Sequence, residues 1–188
     1  MVNSSIAHTG YMLLGLAAFA GGQQLGLEGL LFYGVAYSFM NLGAFAVIAA
    51  LQKRGGVTSS LETFSGLGRR EPTLGILMTL FLLSLTGIPP TAGFFAKALV
   101  ILAAVQAGGW VAFLAVIAVL NAAAAAFYYL RVVVYMFMRE PTTEATPPRH
   151  GALLWSGLAV ATALTILLGF FPGLIMGMVG QAATAIGG

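Results

Sequence analysis

The chain has 188 residues, of which 60% are hydrophobic and 7% are charged, with a formal net charge of +3. Soluble domains carry roughly 25% charged residues, so this composition excludes a soluble protein and indicates an integral membrane protein. The positive charge is not clustered, which argues against a nucleic-acid partner. The sequence has no cysteine and two well-separated histidines, so it excludes disulfides and thiolate-ligated iron–sulfur clusters and argues against a metal site.

Apolar runs long enough to cross a membrane core of about 30 Å recur along the whole chain. They predict an all-α fold, a polytopic transmembrane helical bundle of about six spans that forms a single transmembrane domain over residues 1–188. The predicted spans cover residues 4–20, 29–51, 73–87, 91–107, 110–138 and 152–171. Residues 52–71 are predicted to form a polar loop, and the apolar tail at 174–186 is interpreted as an interfacial helix.

A Gly/Pro break interrupts the apolar stretch between residues 72 and 108. As one helix this stretch would be roughly 50 Å long, more than one crossing needs. Pro89 and Pro90 remove two successive backbone donors, and Gly87 and Gly93 flank them, so the helical hydrogen-bond ladder cannot continue. The break therefore either separates two short spans or lies inside the membrane within one discontinuous helix, where irregular backbone must be buried or line water.

Lys97 follows the break and lies well inside a predicted span, with more than one helical turn of apolar residues on either side. A charge in hydrocarbon costs at least about 2.5–3.5 kcal/mol, so such residues are rare and usually functional. A lysine amine in a poorly hydrated site can bind and release a proton near neutral pH, which a guanidinium cannot do. The nearby start of the predicted helix also places the amine in the positive end of the helix dipole. We interpret Lys97 as a proton-carrying group; the alternative is a lysine that snorkels to the surface.

A proton path needs further polar groups, and the spans offer several. The candidates are His8, Tyr37, Asn41, Tyr128 and Tyr129. His8 can titrate near neutrality and shares a helical face with Ser4 and Tyr11, although a helix end at the headgroup layer explains these residues equally well. Tyr37 and Asn41 form a polar stripe with Tyr33 at a spacing of four residues, which also suits helix–helix packing. The predicted spans contain no Asp or Glu, so the counter-charge of the membrane lysine is expected from outside this chain.

Three segments of the chain carry a family resemblance, in the right order and across most of its length. They are Ser4–Tyr11, Leu85–Lys97 and Tyr128–Val133. Together they resemble the antiporter-like membrane subunits of respiratory complex I, the proton-translocating NADH–quinone oxidoreductase. The resemblance implies a subunit with two inverted helical repeats, each with a discontinuous helix, of which this chain would cover the second repeat and the final helix. It also implies that Lys97 is the proton-relay lysine, and that His8 occupies a motif position with a less firm role.

The resemblance further implies a place in an enzyme complex. Lys97 would relay protons in response to electron transfer from NADH to quinone in partner subunits, with no redox chemistry and no cofactor in this chain. NADH, FMN, iron–sulfur clusters and quinone would belong to those partners. The expected partners are the other membrane and peripheral subunits of complex I, including a missing N-terminal half with the first repeat, and the lipid bilayer. The expected location is the bacterial inner membrane.

Two other functions and the orientation stay open. Multisubunit cation/proton antiporters share the lysine beside the broken helix, and salt-dependent proton exchange without a redox driver would indicate that function. A non-conducting assembly segment is the third possibility, since the small residues of Ala122–Ala126 suit tight helix packing. The positive-inside rule places the loop at 52–71 in the cytoplasm, whereas the topology implied by the resemblance places it outside.

Overall fold

The computed structural model describes residues 2–51, 64–140 and 151–187, and all of the regular structure in these ranges is helical. The eight helices are α1 (Val2–Ala20), α2 (Gln24–Leu51), α3 (Leu67–Arg70), α4 (Pro72–Thr86), α5 (Ala92–Ala107), α6 (Gly109–Met138), α7 (Ala152–Phe170) and α8 (Gly173–Gly187). The predicted all-α fold is confirmed for this part of the chain. Most of the predicted polar loop, and the segment 141–150 with His150, lie outside the described residues.

Three of the described helices, α2, α6 and α7, are long and apolar enough to cross a membrane, and α4, α5 and α8 are shorter apolar helices. The 30 residues of α6 would measure about 45 Å along the axis, which exceeds the hydrocarbon thickness. Helix α2 begins at Gln24 rather than near residue 29. It therefore includes Glu28, one residue before the predicted start of this span.

Helices α4 and α5 lie end to end along α2. The last turn of α4 meets the middle of α2, where the Ser84 hydroxyl donates to Met40 Sδ at 2.7 Å. Helix α5 begins beside this point and ends near the start of α2, where the Gln23 amide donates to the Gln106 carbonyl at 3.4 Å. The two helices are therefore the halves of one discontinuous helix, which is the second of the two interpretations of the Gly/Pro break.

Helices α7 and α8 also follow one another along the bundle. Gly169, near the end of α7, packs against the backbone of Pro90 and Thr91 in the break, where an added Cβ would overlap the Pro90 carbonyl oxygen. Helix α8 continues from this level and buries Val179 and Ala183. The segment predicted as an interfacial tail thus packs against the other helices through small side chains.

Helix α2 is the central element of the bundle, and its buried residues extend from Gly26 to Ala50. Glycines allow close approach of its neighbours: at Gly26 the backbone of α1 lies so near that any Cβ would collide with it. Helices α6 and α7 instead expose many large apolar side chains, such as Trp110 and Leu153. This pattern suits contact with lipid, since lipid tails are as apolar as these side chains. Helix α2 packs against α1 and α5, and its tyrosines Tyr33 and Tyr37 contact residues of α1.

Candidate functional site

The break between α4 and α5 begins at a glycine whose conformation other residues rarely adopt. Gly87 ends α4 with φ +88° and ψ 42°, and its N–H donates to the carbonyls of Leu83 and Ser84 at 3.0 Å. A left-handed residue at this position is a common way to end a helix. An added Cβ would also lie 3.0 Å from Lys97 Cδ. Glycine therefore provides both the turn and the space for the lysine side chain.

The Lys97 side chain turns back to the break and is buried, with 6% of its surface exposed. Its Nζ donates to the carbonyl oxygens of Leu85 at 2.8 Å and Thr86 at 2.7 Å. These carbonyls belong to the last turn of α4, where a helix has no partners of its own for them. Nζ also lies 5.2 Å from the centroid of the Tyr11 ring, within the range of a cation–π interaction. The amine is thus held by α4 and α1, and it does not reach the surface of the described bundle.

This geometry changes the electrostatic expectation for Lys97. The sequence alone places the amine near the positive N-terminal end of α5. The structure adds the C-terminus of α4, whose carbonyls carry the negative end of that helix dipole and accept hydrogen bonds from the amine. The N-terminus of α5 disfavours a positive charge on Nζ, whereas the C-terminus of α4 favours it. The α4 carbonyls therefore offset part of the free-energy cost of burying this charge.

A second polar cluster surrounds His8 of α1, which is 2% exposed. His8 Nδ1 lies 2.8 Å from the Tyr33 hydroxyl of α2, and Nε2 lies 3.2 Å from the Tyr129 hydroxyl of α6. The Tyr129 hydroxyl also hydrogen-bonds the Ser4 hydroxyl. A neutral imidazole has one donor and one acceptor nitrogen, and a hydroxyl can serve as either, so both tautomers satisfy these contacts. Tyr33, His8, Tyr129 and Ser4 therefore form a continuous hydrogen-bonded series across three helices.

Aromatic rings connect the His8 cluster with the lysine. The His8 ring stacks on Tyr37 with centroids 4.6 Å apart, and the rings of Tyr11 and Tyr33 stack at 5.9 Å. Tyr11 is also in contact with His8, at 6.3 Å between centroids, and its hydroxyl donates to a backbone carbonyl of α6. Tyr11 thus stands between Lys97 and the hydrogen-bonded series.

The structure brings together some of the predicted site residues and leaves others apart. Lys97, His8 and Tyr37 lie in one buried region. Asn41 takes part in none of the hydrogen bonds of this region. Tyr128 is 39% exposed on α6 and contacts the cluster through the ring of Tyr129, with centroids 4.5 Å apart. Tyr33, which directly contacts His8, belongs to the polar stripe recognised in the sequence but was not selected as a site residue.

Carboxylates and metal ligands are not assembled around the lysine in the part of the chain that the structure describes. No group of three or more His, Cys, Asp or Glu residues there is placed to hold a metal ion. Glu28 is half-buried in α2, near Gly180 of α8. The polar contacts of Lys97 are with backbone carbonyls and a tyrosine ring, and the His8 cluster adds one imidazole and the hydroxyls of Tyr33, Tyr129 and Ser4.

Comparison with known proteins identifies the family. A family model described as "NADH:quinone oxidoreductase/Mrp antiporter, TM" matches residues 1–122. The chain belongs to this family. The matched range includes the discontinuous helix and Lys97, and the resemblance predicted from the three motifs is confirmed. As a member of the NADH:quinone oxidoreductase/Mrp antiporter family, the chain is an integral membrane protein.

Curated relatives of the chain carry a more specific name. It is 43% identical over 183 residues to an NADH-quinone oxidoreductase subunit N of Trichlorobacter lovleyi, covering 97% of this chain and 37% of the relative. It is 48% identical over 174 residues to an NADH-quinone oxidoreductase subunit N 2 of Roseiflexus castenholzii, covering 90% of this chain and 34% of the relative. The chain thus spans little more than a third of the length of these relatives.

Solved structures similar to the chain include both branches of the family. Respiratory complex I from Thermus thermophilus with bound aureothin matches 92% of this chain and 38% of the other, with a TM-score of 0.71 and 37% identity. The Mrp complex from Dietzia sp. matches 94% of this chain and 40% of the other, with a TM-score of 0.73 and 27% identity. The helical arrangement described above is therefore shared with two kinds of membrane complex.

Proposed function

We propose that this chain is the proton-conducting part of a membrane subunit of an NADH:quinone oxidoreductase in the bacterial inner membrane, with Lys97 as the relay group. The observation that supports this most directly is the buried Lys97 amine, which donates to the carbonyls of Leu85 and Thr86 at the break of a discontinuous helix. Electron transfer from NADH to quinone, through FMN and iron–sulfur clusters, would take place in partner subunits. This chain would supply proton transfer alone.

The geometry at Nζ allows the lysine to change its protonation state without rearrangement of the break. An ammonium group has three N–H donors, of which two are used by the carbonyls of Leu85 and Thr86. The neutral amine keeps two N–H donors and gains a lone pair. Both states can therefore satisfy the same two carbonyls, while the third position alternates between donating a proton and accepting one.

The hydrogen-bonded series around His8 would carry the proton further. Water would bridge the interval between Nζ and the first hydroxyl, past the Tyr11 ring, since a water-mediated hydrogen bond is nearly as favourable as a direct one. The proton would then move through Tyr33, His8 and Tyr129. Each step reverses the donor and acceptor of a contact that both histidine tautomers can make.

Other parts of the complex would complete the lysine site. A buried lysine normally has an acidic counter-charge, and the polar contacts of Nζ within the described residues are with carbonyls and the Tyr11 ring. We assign the counter-charge to the remaining part of the subunit, which would carry the first repeat, or to neighbouring membrane subunits. This assignment agrees with the short span of the chain relative to its curated relatives.

The test is NADH-driven proton uptake in inverted membrane vesicles that contain the complete complex. Lys97→Ala removes the amine, and Lys97→Arg keeps a positive charge that cannot be released. Both variants are expected to lose most proton uptake per NADH oxidised at a matched content of assembled complex. Gln106→Ala, an exposed position at the end of α5, serves as the control and should pump normally. Normal uptake in the arginine variant would refute a relay through this amine.

A cation/proton antiporter is the second candidate, because the Mrp complex shares the fold at a TM-score of 0.73. In that case proton movement would follow a sodium gradient and would not need NADH. Vesicles with an imposed sodium gradient and no NADH distinguish the two functions. Proton exchange that depends on both sodium and Lys97 would favour the antiporter.

A further inference from the structure

Ser84 connects three helices at the break. It lies in the last turn of α4 and is fully buried. Its hydroxyl donates to Met40 Sδ of α2 at 2.7 Å and accepts the backbone N–H of Gly93, in the first turn of α5, at 3.3 Å. One side chain of α4 thus hydrogen-bonds both the central helix and the start of the following half-helix.

The contact with Gly93 replaces a missing cap of α5. The first N–H groups of a helix have no partners within it, and a side chain at the N-cap position usually accepts one of them. The N-cap residue of α5 is Thr91, but its hydroxyl donates to the Ile88 carbonyl at 2.7 Å and makes no cap hydrogen bond. Ser84 accepts a first-turn N–H from the opposite side of the break. The cap of α5 is therefore supplied by α4.

The Ser84–Gly93 cap lies close to the hydrogen bonds of Lys97 on both α4 and α5. Gly93 and Lys97 are four residues apart on α5, so they lie on the same helical face, one turn from each other. On α4, Ser84 immediately precedes Leu85 and Thr86, whose carbonyls accept from Nζ. A shift of α5 relative to α4 at the cap would therefore change the distances from Nζ to these carbonyls.

We propose that Ser84 is a positioning residue for Lys97: it caps α5 from α4 and thereby holds the amine on the α4 carbonyls. The proposal rests on the proton-relay role of Lys97 and adds a residue that acts through it. The hydrogen bond from Ser84 to Met40 Sδ contributes to this positioning, because it orients the Ser84 hydroxyl so that its lone pairs face α5. The broken helix would then keep its two halves in register without a continuous backbone ladder.

The experiment compares variants in the complete complex in inverted vesicles. Ser84→Ala removes the acceptor, and Ser84→Cys keeps a similar volume with a weak acceptor. We expect about tenfold lower proton uptake per NADH in Ser84→Ala, the size of effect that one misplaced hydrogen bond can produce, and partial recovery in Ser84→Cys. Thr79→Ala is the matched control, since the Thr79 hydroxyl donates within α4 to the Gly75 carbonyl at 2.8 Å and contacts neither α2 nor α5 in this way. If Ser84→Ala does not assemble, reduced uptake in assembled Ser84→Cys would support the proposal, and wild-type uptake in Ser84→Cys would overturn it.

Two further measurements separate this proposal from the role of Lys97 itself. Amide hydrogen exchange, followed by mass spectrometry, should be about tenfold faster in the first turn of α5 in Ser84→Ala than in Thr79→Ala, because its cap is lost. In a Lys97→Ala background, Ser84→Ala should cause no additional loss of uptake. Unchanged amide hydrogen exchange in Ser84→Ala would overturn the proposal. An additional loss of proton uptake from Ser84→Ala in the Lys97→Ala background would overturn it too. Normal pumping by Lys97→Ala would refute the proton-relay function while the exchange measurement still tests the cap.

Discussion

Gly93→Ala adds one methyl group at the point where the halves of the discontinuous helix touch. The added Cβ would overlap the Ser84 carbonyl oxygen and would lie 3.2 Å from Met40 Sδ. The carbonyl is part of the backbone and accepts the Gly87 N–H at 3.0 Å, so it cannot turn aside as a flexible side chain could. The first turn of α5 must therefore move away from α4.

The expected magnitude follows from two opposing terms. Overpacking a buried site costs about 1–3 kcal/mol, and the contact with a rigid backbone places this site near the upper limit. Replacing glycine by alanine inside a helix increases the free energy of unfolding by about 0.5–1 kcal/mol. The net destabilisation is about 2–2.5 kcal/mol, which is below the roughly 5–15 kcal/mol of a folded domain, so the complex should still assemble.

Gly93→Ala is expected to reduce proton uptake more than it reduces the amount of assembled complex. Lys97 lies on the same face of α5, so its Nζ moves away from the carbonyls of Leu85 and Thr86 together with the first turn. A displacement of about 1 Å at a reacting group can cost on the order of a hundredfold in rate. We therefore expect proton uptake to fall by about ten- to a hundredfold, with most of the assembled complex retained.

The assay for Gly93→Ala is NADH-driven proton uptake in inverted vesicles, normalised to the assembled complex on native gels. Gly34→Ala is the matched control, because an added Cβ at this helical glycine meets no atom within 4 Å. The control should pump at the wild-type rate. Wild-type uptake in Gly93→Ala, at unchanged complex content, would show that the contact between the two half-helices does not position the lysine.

Three further predictions concern the break and the His8 cluster. Gly87→Ala should lower both assembled complex and proton uptake, because φ +88° costs a residue with a Cβ roughly 1–2 kcal/mol; native gels and uptake assays measure this, and wild-type values would contradict it. Gly169→Ala should reduce uptake because its Cβ would overlap the Pro90 carbonyl, whereas Gly157→Ala, with no atom within 4 Å, should not. Tyr129→Phe should lower uptake at least several-fold, since it removes a hydroxyl that two buried groups contact, a loss of about 1–3 kcal/mol. Tyr128→Phe, at an exposed ring, should leave uptake unchanged, and equal effects of the two tyrosine variants would contradict the assignment of the cluster to Tyr129.

The class of protein and the approximate helix positions could be predicted from the sequence because they depend on local properties. Hydropathy over a span of about 20 residues is sufficient to recognise a membrane helix. The interruption at Pro89 and Pro90 is equally local, since each proline removes its own backbone donor. The span predicted from residue 29 corresponds to α2, which begins earlier, at Gln24, and includes Glu28.

The rotation of each helix could not be predicted in the same way. In a soluble protein the polar face identifies the solvent side, but lipid and the interior of a membrane bundle are both apolar, so hydropathy does not separate them. Neighbouring residues such as Tyr128 and Tyr129 therefore look equivalent in the sequence. Packing of α6 against α1 buries Tyr129 against His8 and leaves Tyr128 exposed.

The sequence by itself determined that Lys97 is a charge within an apolar helix and that the helix before it is broken. Only the tertiary structure decided what holds the amine. Its acceptors are the carbonyls of Leu85 and Thr86, and every residue of a chain carries a backbone carbonyl, so no side-chain pattern marks them. They become available because α4 ends beside α2, and α5 begins there with its first turn against Ser84.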